Sequence, residues 1–116
     1  MHQVIENSVY TLRSKLNTLK QDAHRIEERL KLANEEVAAA TAEERLAKQC
    51  YHLTCINGKS TSTSCSIRLA NASGRSAVAI SASIMAMAER AANFRAQNDL
   101  AVLLAQFDLQ EQQQTV

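Results

Sequence analysis

The chain contains no proline and no tryptophan, only two glycines (Gly58 and Gly74), and only four aromatics: Tyr10, Tyr51, Phe94 and Phe107. Without proline nothing forces a helix to stop, and with so few glycines little weakens one. Without aromatics a thick globular core loses its usual source of buried area. The apolar content is instead Leu, Ile, Val, Met and above all Ala, which suits closely spaced helices. No basic cluster stands out among 13 basic and 12 acidic residues, so no electrostatic footprint for nucleic acid or an anionic membrane is present. The longest uncharged stretch, Ser76 to Ala88, is shorter than the roughly 20 apolar residues that a membrane span needs. The polar N-terminus has no apolar core of a signal peptide. The expectation is therefore a cytoplasmic protein, with signal-independent export still open. The three cysteines (Cys50, Cys55 and Cys65) are an odd count in that setting and read as thiols.

What is present is periodicity. Ile5, Val9, Leu12, Leu16, Leu19, Ala23, Ile26, Leu30, Ala33, Val37 and Ala40 alternate spacings of four and three without a miss. This is the seam of a left-handed coiled coil. Lys, Arg, Glu, Gln, Asp and Asn fill most positions between. Near Thr41 the pattern reads as a phase shift: continuing it would bury Glu44, so Leu46, Cys50 and Leu53 are expected to take over within one continuous helix. Thr41-Ala42-Glu43-Glu44 also fits a capping box, which would restart a helix there.

Asn57-Gly58-Lys59 and the Ser/Thr run to Ser64 read as the one loop, with Gly58 able to end a helix and the hydroxyls able to cap the next. From residue 65 a second helix is expected, with Ala70, Gly74, Ala77, Ser81, Ile84, Ala88 and Ala91 as a small-residue face. Val78, Ile80, Met85 and Met87 lie on its other side, and apolar residues on more than one face imply more than one packing neighbour. Leu100, Leu103, Leu104 and Phe107 then resume a bulky seam, with Phe94 counted among the seam residues.

The fold expected is all-α: one long antiparallel helical hairpin, a coiled coil with arm one at 3–57, turn at 58–64 and arm two at 65–112. It is completed by oligomerisation into a bundle or larger assembly. Folding the chain at residue 60 sets Leu46 opposite Gly74, Ile26 opposite Phe94, Leu16 opposite Leu104 and Cys55 opposite Cys65.

Candidate chemistry is thin. Cys50, His52, Cys55 and Cys65 have the residue types of a zinc site, but on one helix Cys50 and His52 point about 200 degrees apart. No metal or cofactor is expected. Gly58-Lys59-Ser60-Thr61 lacks the upstream glycine and strand of a phosphate loop. His24 sits among acids on a charged helix face. No nucleophile has a base in view, so no catalytic site is expected. The remaining function classes are two. The first is a helical protein–protein interaction module, such as a small chaperone or adaptor of an export machine in bacteria, with protein helices as partners. The second is a self-assembling structural subunit of a filament, needle or ribbon-like polymer.

Overall fold

A computed structural model of the chain describes residues 2–56 and 63–114, with side-chain environments for 3–4, 6–53 and 64–113. Every described residue is helical. Helix α1 runs His2–Ile56 and helix α2 runs Thr63–Gln114, and the two pack against each other as a hairpin. The all-α hairpin expected from the sequence is the observed fold. Of the expected turn, residues 58–62 lie outside the described part, while Thr63 and Ser64 already belong to α2.

Two contact units make up the hairpin: Glu28–Met87, and Met1–Glu27 together with Ala88–Val116. In the first, α1 contributes buried Leu30, Ala40 and Ala47. Across from them α2 contributes Ala72, Ser76, Ala79, Ser83 and Ala86, at spacings of four and three. One side of this core is almost free of bulk. The buried hydroxyls are satisfied: Ser83 Oγ lies 2.7 Å from Asn34 Oδ1.

Here the heptad does not change phase at Thr41. Of the three residues expected to take over, Cys50 is half-buried and faces Cys65, but Leu46 and Leu53 are 51% and 59% exposed, whereas Ala47 is 1% exposed. The original spacing carries on through Ala40, Glu44 and Ala47. Glu44 tolerates its half-buried position because Lys48 Nζ lies 3.1 Å from its carboxylate and Ser76 and Ser73 hydrogen-bond to it. These contacts hold its carboxyl below the usual glutamate range, with the Lys48 hydrogen bond the largest cause. A seam glutamate is costly only when its charge is unpaired.

The second unit is built from half-buried Leu12, Leu16 and Leu19 and buried Ile26 on α1, with half-buried Leu100, Leu104 and Phe107 on α2. Among its described residues the one buried polar side chain is Asn93. The Asn93 amide donates to the Leu19 backbone carbonyl at 2.9 Å and accepts from Gln97 Nε2 at 2.6 Å. A single polar residue on a coiled-coil seam fixes register at some cost in stability.

Register in both units differs from a fold at residue 60. Cys50 faces Cys65; Asn93 reaches Leu19; Arg90 pairs with Glu27 at 3.5 Å. The centre of pairing falls a few residues earlier in the chain. Heptad-spaced charges set it: Arg75 grips Glu36 with two hydrogen bonds, at 2.5 and 3.1 Å, and seven residues back Arg68 reaches Glu43 at 2.8 Å. Sliding one helix past the other would break both pairs.

Candidate interaction surface

The face of α2 that meets α1 lies two residues on from the face expected. Ala70, Gly74, Ala77, Ser81, Ile84, Ala88 and Ala91 are all exposed. A step of two residues turns about 200 degrees around a helix, so the small-residue stripe points away from α1. The sequence carries two such stripes, and with the inner one against α1 Arg68 and Arg75 lie alongside Glu43 and Glu36.

The residues read as one seam therefore separate into two surfaces. Val9, Leu12, Leu16, Leu19 and Val37 are half-buried and Ile26 and Leu30 buried, all on the inner side of α1. Leu100, Leu104 and Phe107 are half-buried on α2. Ala77, Ile84, Met85, Met87, Ala88, Ala91 and Phe94 lie outside the hairpin contact. The side chain of Ile5 lies outside the described part. Ala72, Ser76, Ala79, Ser83, Ala86 and Asn93 were missed as inner residues; the seven-residue repeat of Ala72, Ala79 and Ala86 beside Arg68 and Arg75 was the signal available.

The outer surface of the 28–87 unit is the candidate site. On α2 it presents Ile67, Val78, Ile80, Ile84, Met85 and Met87, each between 43% and 71% exposed. Between Arg75 and Glu89 the helix has no charged residue. The outer side of α1 is the opposite: Glu28, Arg29, Lys31, Glu35, Glu36 and Arg45 are all exposed.

Polar groups near the hairpin contact are engaged with each other. Hydrogen bonds from Arg75 and Arg68 hold the carboxyls of Glu36 and Glu43 below the usual glutamate range, and the same pairs raise both arginines. The sulfurs of Cys50 and Cys65 lie 3.4 Å apart, a thiol hydrogen-bond distance rather than the roughly 2 Å of a disulfide. That contact, with the Cys65 charge and some desolvation, pushes the Cys50 thiol up. The pairing expected for Cys65 was Cys55, whose side chain is outside the described part. Because α1 stays helical to Ile56, Cys50 is turned inward and His52 outward. Among the described residues no three of His, Cys, Asp and Glu stand together so as to hold a metal ion. His24 is exposed on the charged side of α1, and neighbouring Asp22 pairs with Arg25 at 3.8 Å. Among the described residues no helix is long and apolar enough to cross a membrane.

Set against protein-family models, curated proteins and solved structures, the chain matches none.

Proposed function

We propose that this protein is a non-catalytic helical interaction module, and that the outer face of α2 in the 28–87 unit is the part that meets a partner helix. The observation that carries this reading is the exposure of large apolar side chains, Val78 to Met87, in the uncharged stretch of α2 between Arg75 and Glu89, on a hairpin whose other arm is densely charged. Leaving that face in water forgoes the favourable transfer of apolar area that drives association. Helix-in-groove and helix-on-helix docking use such a face, read as anchors three and four residues apart. A small chaperone or adaptor of an export machine has this build.

A photo-crosslinking residue at position 84, compared with one at position 28 on the charged side of α1, tests the reading in cells making the protein. Discrete protein adducts from position 84 and none from position 28 are expected. Equal labelling from both positions, or none from 84, would refute it.

The second reading is a self-assembling structural subunit of a filament, needle or ribbon. Its support is a separate set of exposed apolar residues on the other unit: Phe94 at 64%, Val102 at 58% and Leu109 at 59%. More than one sticky surface per chain permits open assembly. Negative-stain microscopy of concentrated protein distinguishes fibres from discrete particles.

A further inference from the structure

We infer that Cys50 and Cys65 form a reversible thiol–disulfide latch that ties α1 to α2 where the first helix ends and the second begins. The latch is open in a reducing compartment and closed in an oxidising one. It stands independently of the interaction-module reading.

Packing shows why a latch matters at that place. Both cysteines belong to the Glu28–Met87 unit. The buried side chains nearest to them are Ala47 on α1 and Ala72 on α2. Beyond those two alanines, among the described residues, no side chain is buried, and only Cys50, Cys65 and Leu69 are half-buried. The Arg68–Glu43 pair nearby is open to solvent, and ion pairs of that kind contribute little. Segments with few buried apolar contacts open locally at low cost. A bond between residues 50 and 65 therefore acts on the least secured part of the unit.

The register holds the two sulfurs together. Glu36 meets Arg75 and, seven residues on, Glu43 meets Arg68. One further step of seven along α1 is Cys50, and the antiparallel course of α2 brings Cys65 beside it, sulfur to sulfur at 3.4 Å. Side-chain rotation can close the remaining gap to the roughly 2 Å of a bond. Half burial leaves both sulfurs within reach of a small solute. The hydrogen bond to Cys65, then the Cys65 charge and burial, push the Cys50 thiol up, while Arg68 works the other way. Two sulfurs this close to each other and to a cation favour one thiolate beside one thiol, the starting state for exchange.

The oxidant is a small disulfide such as glutathione disulfide. A thiolate at one cysteine attacks one of its sulfurs, forming a mixed disulfide and expelling a small thiolate that takes a proton from water. The second cysteine gives its proton to water and attacks the protein-side sulfur of the mixed disulfide. The Cys50–Cys65 bond forms, and the second small thiolate leaves and is protonated. Two protein thiols lose two electrons, and one small disulfide becomes two thiols. Excess small thiol runs the same steps backwards.

The test melts the full wild-type chain, followed by circular dichroism, after equilibration with glutathione disulfide and again after excess reduced glutathione. The bond closes a loop of about 15 residues, so oxidation is expected to raise Tm by roughly 10–20 °C, and reduction to reverse it. Hydrogen exchange is expected to slow in 48–53 and 64–71 of the oxidised chain. Cys55→Ser is expected to behave as wild type, and Cys65→Ser to show no rise. Equal melting of the oxidised and reduced chains overturns the inference. So do a bond that peptide mapping assigns to Cys55, bonds between chains, or oxidation that stops at the mixed disulfide. The wild-type chain compared with itself carries the test even if a substituted chain loses helix content.

Discussion

Leu30 and Leu32 are the same residue two positions apart on α1, and the hairpin puts them in opposite environments. Leu30 is 6% exposed against α2, and Leu32 is 62% exposed on the charged side. Replacing Leu30 with Ala removes three carbons from the core, a transfer loss of roughly 2.4 kcal/mol at about 0.8 kcal/mol per methylene. The void adds to this, but a seam only two helices wide can partly close. The expected total is about 2.5–3 kcal/mol, in the lower part of the roughly 2–5 kcal/mol seen for buried Leu→Ala changes. At about 4–8 °C per kcal/mol for a chain of this size, Tm falls by roughly 10–20 °C. Leu32→Ala should cost less than about 0.5 kcal/mol, the scale of a surface change. Urea melts followed by circular dichroism at low protein concentration measure both. Equal costs at the two positions would refute the assigned face of α1, because a contact centred on Leu30 leaves Leu32 about 200 degrees away on the far side of the helix.

Other perturbations address the rest of the structure. Asn93→Leu removes the amide that holds the Leu19 carbonyl, and should leave stability equal or higher while broadening the NMR spectrum as registers mix. Gly74→Ala meets nothing in the hairpin and should raise monomer stability by about 0.5–1 kcal/mol through helix propensity, read from urea melts. Incubation with a small disulfide such as oxidised glutathione should join Cys50 to Cys65 within one chain, releasing two reduced thiols. Mass spectrometry should find that crosslinked peptide, and faster formation as pH rises toward the raised Cys50 value. Glu36, Glu43 and Glu44 all titrate below the ordinary 4.5 when folded, so their contribution is complete above that pH. It is lost as pH falls through the lower folded values; Tm should therefore drop below pH 4.5 and change less in Glu36→Gln.

The helices and their pairing were legible in the sequence because a coiled-coil seam repeats. Each α1 position from Val9 to Ala40 reports the same fact, so the phase is overdetermined. α2 offered no such redundancy. Two stripes, one through Ala72, Ser76 and Ala79 and one through Ala70, Gly74 and Ala77, have the same spacing and nearly the same composition. Hydrophobicity favours the outer of the two, since it continues into Ile84 while the inner one holds Ser83 and Asn93. What reverses that preference is pairing across the helices. Arg68 and Arg75 find Glu43 and Glu36 only when the less apolar stripe faces inward, and Ser83 and Asn93 are tolerable there because Asn34 and the Leu19 carbonyl receive their hydrogen bonds.

The same logic explains Glu44. Read alone, a glutamate on the seam signals a change of phase. Lys48 one turn along could have been noticed in the sequence, but Ser76, thirty-two residues away, becomes its neighbour only after the register is known. Polar residues on a seam thus depend on contacts that a one-dimensional pattern cannot weigh, and they displaced the phase of both helices in the expectation. The surface that drew the functional argument follows from that displacement. Because the hairpin spends its polar, heptad-matched stripe on itself, the more apolar stripe of α2 is left facing outward. An internal partner for that stripe would need a third helix, and α1 and α2 already account for every described residue.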